Sequence, residues 1–207
     1  MKIKLLLICT LCCALFGYAQ DTHNLEDNSN PILFLESIFG YAGGSAHGPT
    51  IGAELNYQQR KNLFSLRYIY QTRFNFDFAI LGLVGFPIIT NDLNINEISA
   101  LYGYRTIKDG HSWGFSGGVS ANIATYKTKN DGVISKDYET FAGFPFEINI
   151  KWFKKEKKRF RAYYGLIPIG KPTSFGRSLG FKFYGNIGKV SYVGVGLNYG
   201  FGWHKVY

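Results

Sequence analysis

Eight charged residues recur on one polar side of alternating runs. Four are acids, Glu36, Glu54, Glu97 and Glu147, and four are bases, Arg67, Arg105, Lys151 and Lys182. If that side is enclosed, charges must pair, because an isolated buried ion is too costly to keep. Equal numbers suit a ladder of ion pairs that fills a narrow interior. The competing chemistry is a gated ion path or a polar binding site. Other reactive groups do not converge. His23, His47, His111 and His204 all fall off the charged side and lack metal-ligand spacing, so they are expected on solvent-facing loops or the tail. His111 and Ser112 are adjacent and must point to opposite faces of a strand. No nucleophile elbow, phosphate loop or metal cluster is found, and no cofactor is expected.

The elements that position these charges show period-two alternation. From Thr50 to Gln58, Ile51, Ala53, Leu55 and Tyr57 oppose Thr50, Gly52, Glu54, Asn56 and Gln58. A polar turn, Gln59 to Asn62, leads into Leu63 to Arg73, where Phe64, Leu66, Tyr68 and Tyr70 oppose Ser65, Arg67, Gln71 and Arg73. Two such runs around a short turn make a β-hairpin. Further runs cover Ile95 to Arg105, Trp113 to Tyr126, Phe144 to Phe153, Leu179 to Ile187 and Val193 onwards, with a weaker one at Ile32 to Gly43. Gly110 in the Lys108-Asp109-Gly110 turn is expected to supply a positive φ.

Eight strands of roughly 9–14 residues suit a tilted membrane crossing, which needs roughly 9–11 residues. The apolar face carries Tyr, Phe and Trp on nearly every strand and is too bulky for a narrow core. Turned outward, it makes a lipid-facing band with aromatic girdles, and the Gly-, Ser- and Asn-rich face lines the lumen. The expected fold is therefore an all-β, antiparallel transmembrane β-barrel, with a soluble lipocalin-like barrel as the alternative. Two segments are irregular. Phe74 to Asn94 is a long loop, or a loop with an extra strand, and Lys154 to Phe175 holds an apolar stretch, Tyr163 to Ile169, that is a possible strand. Eight strands are favoured over ten.

The start of the chain reads as an export signal. Lys2 and Lys4 precede an apolar stretch, Leu5 to Phe16, and Gly17, Tyr18 and Ala19 lead to a cleavage site after Ala19. Twelve apolar residues fall short of the roughly 20 that a spanning helix needs. Residues 20–31 then form a periplasmic segment and 32–207 the barrel domain. Cys9, Cys12 and Cys13 all lie in the signal, so the mature chain relies on burial and pairing for stability. Without Lys2 and Lys4 the 23 basic residues become 21, against 14 acidic, a net charge of +7. A basic balance can mean nucleic acid, but an exported chain rarely meets any, so no nucleic acid partner is expected and anionic lipid head groups are the favoured neighbour.

The segments "GFPFEINIKWF" (Gly143 to Phe153) and "FYGNIGKVSYVGVGLNYGFG" (Phe183 to Gly202), with "LYGYR" (Leu101 to Arg105) before its Lys-Asp-Gly turn, resemble small outer-membrane β-barrel proteins of Gram-negative bacteria, porin-like eight-stranded barrels. The resemblance implies short periplasmic turns, longer surface loops, and a final strand whose aromatic end the outer-membrane insertion machinery recognises. Here Phe201, Trp203 and Tyr207 close the chain, with Lys205 interrupting the spacing. The resemblance is architectural and specifies no reaction. The functional expectation is a non-catalytic structural or surface-interaction barrel, occluded by paired charges and in contact with membrane lipid and lipopolysaccharide. The alternatives are an outer-membrane lipid-modifying enzyme or a small passive channel.

Overall fold

The computed structural model describes residues 31–81, 84–130, 133–163 and 166–206. The expected signal, the segment after it and Tyr207 lie outside these residues. Ten strands follow in chain order: β1 (Ile32–Gly44), β2 (Gly48–Gln59), β3 (Asn62–Leu81), β4 (Val84–Lys108), β5 (His111–Asn130), β6 (Val133–Phe153), β7 (Lys158–Ala162), β8 (Ile167–Thr173), β9 (Gly176–Gly188) and β10 (Tyr192–Gly202). Eight close into an antiparallel barrel in the order β1-β10-β9-β6-β5-β4-β3-β2. The ring shuts where β1 pairs with β10, from Phe34 opposite Gly202 to Gly44 opposite Tyr192. Closure leaves no edge strand, which is what a sheet in lipid requires.

Alternation places the apolar face outward. Leu66 is 57% exposed and Val119 63%, whereas the intervening Arg67 and its like are fully buried. The turns obey close packing as much as φ preference. In the β4–β5 turn the positive φ falls on Asp109 (54°) and not on Gly110. Gly110 is needed for a different reason: its carbonyl accepts from Phe153 N at 2.7 Å, and a Cβ there would lie 2.8 Å from Phe153 O.

Several expectations change. The strands from β3 to β6 run 20–25 residues, well beyond the expected 9–14. Phe74 to Asn94 is neither loop nor extra barrel strand. It continues β3 and β4 as a paired ribbon out to Leu81 opposite Val84, with one register shift between Arg73 and Phe74. β5 and β6 extend likewise, to Asn130 opposite Val133. Both ribbons project from the end opposite the described start and finish of the chain. At the other end, β7 and β8 form a separate two-stranded sheet outside the ring. Of the possible strand Tyr163 to Ile169, Ile167 to Ile169 belong to β8, while Tyr163 and Leu166 lie between the two strands.

The lumen is also less uniformly polar than its composition suggests. Above the charged residues, Ile38, Ala42 and Ile69 pack with Tyr184 and Tyr192. Beyond them lies a second apolar layer that includes Leu93, Ile95 and Val190. Below, Ile32, Phe34 and Leu63 form a third. The charged layer is thus enclosed along the barrel axis as well as around it.

Candidate functional site

The alternation of β1, β2, β3, β4, β6 and β9 delivers Glu36, Glu54, Arg67, Glu97, Arg105, Glu147, Lys151 and Lys182 to the lumen, each at most 1% exposed. Seven of them converge. Arg67 Nη2 donates to Glu97 Oε1 at 2.8 Å and Nη1 to Glu147 Oε2 at 3.1 Å. Lys182 Nζ lies 3.1 Å from Glu147 Oε2 and 3.5 Å from Glu36 Oε2, and also donates to Glu54. Lys151 Nζ sits 2.7 Å from Glu36 Oε1 and 4.3 Å above the Phe34 ring.

Four carboxylates here face three cations, and neutral donors add to the shells of Glu36, Glu97 and Glu147, while Glu54 Oε1 is buried without a hydrogen-bond partner among the described residues. Tyr192 Oη donates to Glu97 Oε2 at 2.5 Å and Asn186 Nδ2 to the same oxygen at 2.7 Å. Asn198 Nδ2 donates to Glu36 Oε1 at 3.1 Å, and Asn149 Nδ2 to Glu147 Oε1 at 3.3 Å. Such hydrogen bonds are what make burial of several like charges tolerable.

Arg105 departs from the expected ladder. Its guanidinium lies nearer the chain-terminal end, where Nε donates to Ser112 Oγ at 3.0 Å and Nη1 to Gln58 Oε1 at 2.7 Å and His204 O at 3.0 Å. It also stacks over Phe34 and Phe153, at 4.9 and 5.6 Å from their centroids. Among the described residues it makes no ion pair. The reason is depth: Arg105 lies eight residues along β4 from Glu97, far from the carboxylate layer.

His204 is a second correction. It is 1% exposed, not on a solvent-facing tail. Its ring sits 4.9 Å from Phe34 and 5.6 Å from Phe153. β10 ends at Gly202 with a φ of 140°, and the following residues turn into the barrel mouth. A signal for this exists in the sequence, because the alternation of Asn198, Gly200 and Gly202 continued by one step reaches His204. Burial, with the positive charges of Lys151 and Arg105 nearby, pushes the imidazole down to about 3.

Among the described residues, candidate chemistry elsewhere is not assembled. Ser112 is buried and held by Arg105, while His111 is exposed, so the two do not form a nucleophile and base. Among the described residues no group of three His, Cys, Asp or Glu is placed to hold a metal.

An outward apolar band around a closed ring with a polar, filled lumen defines the class: an eight-stranded outer-membrane β-barrel. Among solved structures it is similar to Neisserial surface protein A, at 12% identity and a TM-score of 0.49, over 86% of this chain and 99% of that one. It is also similar to the N-terminal β-barrel domain of Pseudomonas aeruginosa OprF (15% identity, TM-score 0.44, 83% of this chain and 98% of that one). A third is Ail, the attachment invasion locus protein of Yersinia pestis (9% identity, TM-score 0.45, 83% and 96%). No protein-family model matches the sequence, and no curated protein matches it.

Proposed function

We propose that this protein is a non-catalytic, non-conducting outer-membrane barrel whose role is structural or in surface interaction. One observation carries the reading. Arg67 on β3 and Lys182 on β9 each bridge carboxylates from strands on different sides of the ring, so the network crosses the lumen instead of lining it. Apolar layers above and below it oppose water entry. A permeating ion would have to displace paired charges held in a low-dielectric interior, where each interaction is strong. The surface-interaction part is supported by the β3–β4 and β5–β6 ribbons, which stand beyond the ring on the side where lipopolysaccharide would surround them. The final strand, with Phe201 and Trp203 at its end, is the segment offered to the insertion machinery.

The test measures conductance and stability on the same variants. Reconstituted in planar bilayers, the wild-type barrel is expected to be silent, and Lys182→Met to lose stability in urea unfolding from vesicles. Steady ohmic steps from the wild type, with Lys182→Met altering ion selectivity but not stability, would establish a channel instead.

A further inference from the structure

The protein's net charge is concentrated at one end of the barrel. The chain as a whole carries +9. The lumen residues balance, four acids against four bases. The projecting ribbons and the two tight connections beside them balance as well, with five basic and five acidic residues between 45–47, 73–92, 127–142 and 189–191. The opposite rim does not. The β2–β3 turn carries Arg60 and Lys61, the β4–β5 turn Lys108 with Asp109, and residues 154–175 seven bases against Glu156. With Arg177 and Lys205 the described residues of this rim hold twelve basic and two acidic residues; Asp21, Glu26 and Asp27, in the stretch before β1, lie outside the described residues.

That rim also carries the molecule's tryptophans. Trp113, Trp152 and Trp203 all lie within three residues of a strand end there. Cations are seated on its outward aromatic rings: Lys61 Nζ is 5.6 Å from the Tyr104 centroid and the Arg177 guanidinium 5.8 Å from that of Phe201. The β7–β8 hairpin combines its basic strands with an apolar tip, Tyr163 at 71% and Leu166 at 72% exposure. Cations directly beside a lipid-facing aromatic girdle meet one chemistry above all, the phosphates of lipid head groups.

We infer that the basic rim, with the β7–β8 hairpin as its largest part, binds the phosphates of anionic phospholipids in the leaflet on the chain-terminal side. This rests on the reading of the chain as a membrane barrel. The charge is too strong and too one-sided for mere solubility, and its seating on the girdle's rings favours lipid over a soluble polyanion.

The tryptophans report on the lipids beside them. The folded protein is reconstituted in phosphatidylcholine vesicles containing equal amounts of phosphatidylglycerol in both leaflets, with the bromine label on one lipid or the other. At low salt, brominated phosphatidylglycerol is expected to quench the tryptophans about twofold more than brominated phosphatidylcholine. Ionic strength near 1 M, where screening acts over about 3 Å, should remove the difference. Replacing Lys154, Lys155, Lys157 and Arg159 together by Gln should reduce the preference, while Lys127→Gln with Lys129→Gln at the other rim should not. Heat-modifiable gel mobility confirms that each variant has folded. Equal quenching by the two lipids at low salt, or a preference unchanged in the fourfold variant, overturns the inference. So does tight binding of heparin, a soluble polyanion, without lipid preference. Absence of quenching by either lipid would instead overturn the membrane reading beneath it.

Discussion

Arg67 and Glu147 meet across the lumen, Nη1 to Oε2 at 3.1 Å, from strands three places apart in the ring. Cross-strand neighbours in the β2–β3 register are Glu54 and Arg67, yet Glu54 turns to Lys182 on β9 instead. The interior is thus held by ties spanning the barrel, and removing one partner strands charges from several strands.

Arg67→Met should therefore cost about 3–5 kcal/mol, the usual loss when a buried pair is broken on one side. Adding Glu97→Gln to it should recover part of that loss, because Glu97 is then the carboxylate left without a cation, whereas Glu147 keeps Lys182. Urea unfolding from vesicles measures both. A loss below about 1 kcal/mol for Arg67→Met, the range of exposed pairs, would mean that water reaches the network.

Leu66 lies on the lipid face, midway along the stretch of β3 that pairs with β2 (Asn62 to Gln71), so Leu66→Arg should cost about 2–4 kcal/mol, the depth-dependent penalty of a charge in the hydrocarbon. Leu66→Phe keeps the surface apolar and should be near neutral. The same unfolding assay separates them. A small penalty for Arg would show that this face is hydrated.

Two glycines make a local test of packing. At Gly194 a Cβ would fall 2.9 Å from Tyr184 Cζ and 3.0 Å from Ala42 Cβ, whereas at Gly43 nothing lies within 4 Å. Gly194→Ala is expected to destabilise by about 1–3 kcal/mol through overpacking, and Gly43→Ala to have little effect. Thermal unfolding of the two in the same detergent gives the comparison.

His204 gives the barrel a pH dependence of known sign. Its folded-state value, about 3, lies below the ordinary value near 6.5, so the unfolded chain binds more protons between the two. Stability from this group is complete above about pH 6.5 and is lost as pH falls toward 3. His204→Phe, which keeps a ring between Phe34 and Phe153, should flatten unfolding midpoints over that window relative to wild type. An identical acid dependence in the variant would show that the imidazole does not titrate from its buried site.

The faces of the barrel were legible in the sequence because a strand's side-chain period is local. Leu66 outward and Arg67 inward follow from two adjacent positions, and Glu54, Glu97 and Lys182 reach the lumen by the same rule. Strand number followed from counting such runs. What closure of the ring brings together has no local signature. Only the tertiary structure decided that Glu54 meets Lys182, a partner 128 positions away, that Arg105 lies too deep to join the carboxylates, and that β7 and β8 stay outside the ring. His204 shows the boundary between the two kinds of information. Its parity was readable, but its burial depends on a turn after Gly202 and on Phe34 and Phe153 arriving from β1 and β6 to enclose it.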